Sequence, residues 1–240
     1  MGQMTAVHSS EGTRQELAVL KRKSAPRGDS RVMWALTSAC RRGLDMLVAG
    51  VALAVLAVPL LLIAVAIRVD SRGPAFFRQR RLGRGMRSFT MLKFRTMTSD
   101  ADTAPHREYV RSLIDGEAQP DGGLYKISVD DRITRIGGFL RAWSLDEIPQ
   151  LINVLLGQMA LVGPRPVIPY EADIYPESYL RRFEVKPGLT GLWQVSGRNE
   201  RTYDEMVRFD IEYAERASLR LDLQILIKTV PAVLGRQGVA

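Results

Sequence analysis

Residues 46–67 form an uninterrupted apolar run of about 22 residues, long enough as a helix to cross a hydrocarbon core of roughly 30 Å. It does not read as a cleavable signal peptide, because a polar stretch of about 40 residues precedes it and no small-residue cleavage site follows. Hydropathy alone describes an ordinary transmembrane helix. Two features point elsewhere. Arg41 and Arg42 precede the run, and Arg68, Arg72, Arg78, Arg80, Arg81 and Arg84 follow it. Basic residues favour the cytoplasmic side, so charge at both ends places both ends there. Pro59 lies inside the run, lacks an N–H and clashes with the carbonyl of Val55, so a kink or break is expected at residues 55–59. A helix that dips into one leaflet and returns satisfies both features. On this reading the protein is monotopic, with everything else on the cytoplasmic side of the membrane.

The formal net charge of +8 favours anionic partners: lipid headgroups, phosphate-bearing substrates or nucleic acid. Cys40 is the only cysteine, which excludes an intrachain disulfide and leaves no thiolate zinc site. His8 and His106 sit in polar stretches far from any motif, so Ser-His-Asp and His-metal chemistry lack material.

Three regions follow from these patterns: a disordered basic tail over 1–40 containing Lys21, Arg22 and Lys23, an anchor over 41–69, and a cytoplasmic domain over 70–240. Residues 75–80 and 89–94 flank Gly83-Arg84-Gly85 as a β-hairpin. A short helix is expected over 106–114, another from Ser144 toward Met159, and a stiff irregular segment at Pro164, Pro166, Pro169 and Pro176. Tyr203, Met206, Val207, Ile211 and Ala214 recur at helical spacing. So do Leu219, Leu223, Leu226, Ile227, Val230 and Leu234. These last two helices suit either a core or a membrane interface, with Arg208, Arg216 and Arg220 reaching headgroups. The fold class is α+β, mostly helical with a small β-hairpin, a re-entrant N-terminal membrane helix and interfacial amphipathic helices.

The sharpest local signal is Ser144-Leu145-Asp146-Glu147-Ile148-Pro149-Gln150. It reads first as a capping box, with Ser144 at N-cap and Glu147 at N3. Pro149 makes the first turn irregular, since it removes a hydrogen bond to Leu145. Adjacent helical residues point about 100° apart, so Asp146 and Glu147 are no facing acid/base pair. One can instead attack phosphorus while the other holds a divalent metal. Lys93 and Arg95 on the second hairpin strand, Arg132, Arg135 and Arg141 supply cations. Pro164-Arg165-Pro166 presents a guanidinium between two fixed φ angles.

Taken in order, these blocks resemble the bacterial sugar transferases, the monotopic phosphoglycosyl transferases, over about residues 41–235. The blocks are Arg42-Gly43-Leu44-Asp45, Lys93-Phe94-Arg95-Thr96-Met97, Arg132-Ile133-Thr134-Arg135-Ile136-Gly137, Leu140-Arg141, residues 144–150, Val162-Gly163-Pro164-Arg165-Pro166 and residues 187–198. The match is similar to members that initiate exopolysaccharide repeat units. The resemblance implies that Asp146 is the nucleophile, attacking the β-phosphate of a UDP-sugar, expelling UMP and becoming a phosphosugar-aspartyl intermediate. Undecaprenyl phosphate then takes the phosphosugar. It implies that Glu147, with Asp146, binds Mg²⁺, and that Arg141 contacts phosphate. Pro164, Arg165 and Pro166 would lie at the nucleotide, and Lys93, Arg95, Arg132 and Arg198 at substrate. The chain departs from the family pattern at Val58 (Ser before the proline), Asp131 (Pro) and Ala217 (Trp).

Two other readings compete: a membrane-tethered basic adaptor for anionic lipid or nucleic acid, and a glycosyltransferase that releases UDP. No nucleic-acid recognition motif appears, so nucleic acid is not an expected partner. Glucose, galactose and an N-acetylated hexosamine all remain open as the sugar, and homo-oligomerisation is also open.

Overall fold

The apolar run folds into a long helix, α1 (Asp29–Asp70), to which the rest of the chain is attached in this computed structural model. The structure describes residues 29–98, 104–114, 132–197 and 201–234. α1 starts well ahead of residue 41, the anchor start expected from sequence. Residues 31–40 contain neither glycine nor proline, so a helix nucleated in the apolar run extends through them at little cost. Lys21, Arg22 and Lys23 of the expected tail lie outside the described residues. The expected break at Pro59 is absent: the helix continues through it. A proline costs one hydrogen bond, and the turns on either side keep theirs.

One stripe of α1 is covered and the rest is bare. Ala49 and Ile67 are buried, and Ala52, Leu53, Leu60, Ile63 and Ala64 are packed between them at three-to-four spacing. Val55, Val58, Leu61, Leu62 and Val69 are all more than 60% exposed. Only 6% of the most apolar window is buried, which separates α1 from the core helix of a soluble protein.

Both ends of the stripe are bolted to the same domain. At one end Arg41 donates from Nε to Asp222 Oδ2 at 2.6 Å and from Nη2 to Tyr213 Oη at 2.7 Å. Arg42 donates to the carbonyls of Val154 and Leu155, and Asp45 accepts from the Leu161 N–H at 3.0 Å. At the other end Asp70 accepts from the Ile136 N–H at 3.2 Å. The buried Arg95 guanidinium donates to the carbonyls of Ser71 and Arg72. The arginines read from sequence as topology signals are therefore also structural at Arg41 and Arg42.

The hairpin forms as expected: β1 (Phe76–Leu82) pairs antiparallel with β2 (Ser88–Phe94), Phe77 opposite Lys93. Its tip is a short 3₁₀ turn, Arg84–Met86, with φ of 65° at Gly85 and 57° at Met86. Phe76 stacks on Phe94 at 5.3 Å. The short helix expected near His106 is α2 (Ala104–Ile114). α3 (Arg135–Ala142) is capped by Thr134, whose Oγ1 accepts from the Gly137 N–H at 3.0 Å. α4 (Gln150–Leu155) and β3 (Ala160–Val162) follow, then α5 (Pro169–Ala172) and a 3₁₀ stretch over Glu177–Glu184. β4 (Gly188–Thr190) pairs parallel with β3. α6 (Tyr203–Arg216) opens with a reciprocal capping box between Thr202 and Glu205. α7 (Leu219–Leu234) closes the described chain and leaves Leu219, Leu223, Ile227 and Val230 exposed on one stripe. Among the described residues the structure is thus mostly helical with two small sheets, one antiparallel as expected and one parallel.

Candidate active site

Ser144 does not cap a helix. It takes the left-handed conformation (φ 55°, ψ 21°), and its side chain makes no capping hydrogen bond. The expected capping box is therefore absent. Left-handed φ costs a non-glycine residue about 1–2 kcal/mol, and such strain collects at functional turns. Leu145–Glu147 then form a single 3₁₀ turn, and the α-helix proper starts only at Gln150, after Pro149. The irregular first turn required by Pro149 is what the structure contains.

The turn separates the two carboxylates by about a third of a rotation. Glu147 faces β2, where Lys93 Nζ meets Glu147 Oε1 at 2.7 Å. Leu145 packs with Ile67, Phe94 and Leu140 in one cluster that includes Leu60, Ile63 and Ala64 of α1. The half-buried Asp146 therefore sits on a turn whose underside is the C-terminal half of the apolar helix. Arg141 is in the last turn of α3, its carbonyl accepting from the Ser144 N–H at 3.2 Å.

The second part of the site is residues 164–166. Arg165 Nη1 lies 3.6 Å from Glu171 Oε2, a carboxylate with no exposed surface. Arg81 is buried beside them, donates to Pro166 O at 2.9 Å and also bonds Gln79. Burial, with Arg165 alongside, pulls its guanidinium down to about 10, while Glu171, Tyr170 and Glu147 push the other way. Arg81 thus connects the fields of Glu147 and Arg165. Arg107 stacks 5.0 Å from the centre of the Tyr170 ring.

Of the residues proposed from sequence, Lys93, Glu147 and Asp146 come together on β2 and its neighbouring turn, and Arg165 joins through Arg81. Arg132 lies between the hairpin and α3, its carbonyl accepting from the Thr98 N–H at 2.9 Å. The guanidinium of Arg95 is turned to the C-terminus of α1, where carbonyls without helical partners attract a cation. Its place is 5% exposed, and the geometry assigns it to holding the anchor. Arg198 lies outside the described residues.

Sequence reasoning missed Arg81, Glu171, Arg182 and Asp210. Asp210 was concealed by its neighbours: Tyr203, Met206, Val207 and Tyr213 face inward on α6, and an aspartate on that buried stripe was the available signal. Asp210 is 1% exposed and pairs with Arg182, itself 2% exposed. Burial pushes the Asp210 carboxyl up to about 6 against the pull of Arg182 and Arg165. Between 3.8 and about 6 the unfolded aspartate loses its proton before the folded one, so stability falls as pH rises through that window. Melting curves of wild type and Asp210→Asn across it are expected to show the downward slope in wild type only. Parallel curves would exclude Asp210 as its source.

Among the described residues, no three His, Cys, Asp or Glu side chains gather as a metal site. Mg²⁺ does not need three: it is usually held by one or two carboxylates, with water and substrate phosphates completing the shell. The hard oxygens of Asp146 and Glu147 suit that chemistry.

The structure thus places a half-exposed carboxylate turn, with Lys93 against Glu147, over one end of a bare apolar helix. The chain belongs to the bacterial sugar transferase family, whose pattern matches residues 36–236. It is 41% identical over 199 residues to the exopolysaccharide production protein ExoY of Rhizobium meliloti, covering 82% of this chain and 87% of that one. It is 42% identical over 203 residues to a UDP-glucose:undecaprenyl-phosphate glucose-1-phosphate transferase of Caulobacter vibrioides, covering 81% and 69%. A UDP-galactose-lipid carrier transferase of Erwinia amylovora is 43% identical over 192 residues, covering 80% and 40%.

Proposed function

We propose that this protein moves a hexose-1-phosphate from a UDP-sugar to undecaprenyl phosphate, releasing UMP, as the first membrane step of exopolysaccharide synthesis. The observation that carries the reading is the placement of the Asp146–Glu147 turn directly on the anchor cluster of Ile67 and Leu60. A carboxylate there meets a soluble nucleotide from one side and a lipid phosphate from the other. The names of relatives handling UDP-glucose and UDP-galactose support the donor class and leave the sugar open between them.

In the mechanism, an Asp146 oxygen attacks the β-phosphorus of the donor and the bond to the UMP oxygen breaks. The product is a phosphosugar joined to Asp146 as an acyl phosphate. An oxygen of undecaprenyl phosphate then attacks the same phosphorus and Asp146 leaves as carboxylate. Splitting the transfer in two lets one site serve a soluble and a lipid substrate in turn. Arg165 and Arg141 orient the donor diphosphate, as guanidinium groups match phosphate oxygens in pairs. Lys93 holds Glu147 and adds positive charge beside it. Mg²⁺ held by Glu147, with Asp146, would supply neutralisation of diphosphate charge.

The same reading makes the protein monotopic, in the inner membrane with its catalytic domain in the cytoplasm. Arg41, Arg42 and Asp45 at one end of the apolar segment, and Asp70 at the other, are all bonded to one domain. A domain cannot hold both ends from one side of a bilayer if the segment spans it, so this supports a helix seated in one leaflet. The exposed Leu219, Leu223, Ile227 and Val230 of α7 support an interfacial role for that helix.

The test is nucleotide release from full-length protein in lipid discs with Mg²⁺, undecaprenyl phosphate and a panel of UDP-sugars. UMP from one donor is expected. UDP would mean direct glycosyl transfer, and no nucleotide from folded protein would favour the adaptor.

A further inference from the structure

We propose that the buried Arg182–Asp210 pair is a positioning element for Arg165, holding that residue's carbonyl in place. The inference rests on the reading in which Arg165 orients the donor phosphates.

Arg182, on the 3₁₀ stretch before β4, donates from Nη2 both to Asp210 Oδ2 and to the carbonyl of Arg165, the latter at 3.3 Å. Asp210, on α6, holds the guanidinium that makes this bond. A buried ion pair therefore holds the C=O of Arg165. The flanking carbonyls are held from other directions: Pro164 O accepts from the Gly188 N–H at 2.8 Å, and Pro166 O from Arg81 at 2.9 Å. Three consecutive carbonyls thus have partners on three separate parts of the fold. Arg182 is braced in turn by Tyr175, whose hydroxyl accepts from Nη1 at 3.0 Å and bonds Tyr203.

Stability alone does not account for this pair. Stripping water from two charges costs several kcal/mol each, and apolar residues of similar volume often hold a fold as well or better. What an apolar pair cannot do is bond the carbonyl of Arg165. Loss of that grip lets the guanidinium drift, and a displacement of about 1 Å at a reacting centre can cost about 10²-fold.

The experiment is a cycle between Arg165→Ala and the double replacement Arg182→Met/Asp210→Leu, on full-length protein in lipid discs. Melting temperature, kcat and KM for the UDP-sugar are read by UMP release. The double replacement is expected to melt near wild type while kcat/KM falls about 10²-fold. In the Arg165→Ala background it should cost nothing further, because its effect passes through Arg165. Met159→Ala, which opens a cavity in the buried core without touching Arg182, Asp210 or Arg165, should lower the melting temperature and leave KM unchanged. An active double variant, or losses that multiply across the cycle, overturns the positioning role. If the double variant does not fold, Asp210→Asn enters the same cycle and multiplying losses again overturn it. Wild-type protein that releases no UMP from any donor overturns the functional reading, and this inference with it.

Discussion

Asp146→Asn is expected to abolish UMP release and leave the fold intact. The substitution preserves volume, the residue is half-buried, and it sits on a turn that already departs from ideal geometry. Its cost to stability should therefore be small. Its cost to chemistry should not be, because an amide oxygen bears no charge and cannot form the acyl phosphate that the two-step transfer requires. We expect a loss of at least about 10³-fold, equivalent to roughly 4 kcal/mol of barrier. The decisive measurement omits the lipid acceptor. Wild-type protein given a UDP-sugar labelled in the hexose should retain label covalently and release one burst of UMP, while the Asn variant should do neither. Glu147→Gln is the contrast. It weakens the pairing with Lys93 at 2.7 Å and lowers the rate, but it leaves the attacking carboxylate in place, so covalent label should still accumulate slowly. Label on both variants, or on neither in active protein, would remove Asp146 from its assigned role.

Gly188→Ala should be the most destabilising small substitution in the domain. A β-carbon on Gly188 would lie 2.0 Å from the nitrogen of Gly163, 2.5 Å from the carbonyl oxygen of Thr190 and 2.6 Å from the carbonyl carbon of Val162. All three are backbone atoms, so no side chain can swing aside. Gly163 is under the same constraint from the other strand, at 2.4 Å from Lys186 O. The β3–β4 pair can approach only because both strands carry glycine at this point, and the Gly188 N–H to Pro164 O bond goes with it. Loss of the ladder should cost more than about 4 kcal/mol, beyond the ordinary range for a point substitution. Denaturant or thermal unfolding in micelles reads it directly. Gly50→Ala is the control. No atom lies within 4 Å of the site, and alanine in a helix interior should gain roughly 0.5–1 kcal/mol. Equal stability of the two variants would mean that the strands do not need the close approach.

Much of this architecture is legible because it is local. A run of apolar residues states its own length, and alternation around Gly83-Arg84-Gly85 states a hairpin. Pro149 announces an irregular turn whatever surrounds it. The acidic pair and Arg165 were legible as well, since their chemistry is written in adjacent residues. Local rules failed where a distant group competed. Glu147 has the right spacing to close a capping box, but Lys93 takes its carboxylate, and Ser144 is held in the left-handed region instead. Arg95 carries a charge suited to phosphate, but the open carbonyls at the end of α1 take it. Pro59 should disturb the helix, yet α1 passes through it while its stripe is held at both ends.

The sequence by itself determined the apolar anchor, the hairpin, the carboxylate pair and the family. The first three depend on residues within a few positions of one another, and the family on the order of short blocks spread over about residues 41–235. Only the tertiary structure decided that both ends of the apolar helix are tied to one domain, that Arg81 bonds the Pro166 carbonyl next to Arg165, and that Arg182, paired with Asp210, bonds the Arg165 carbonyl. Those partners lie far apart along the chain. A buried charge is tolerable only where folding delivers its counter-charge, and spacing along a chain carries no record of that delivery.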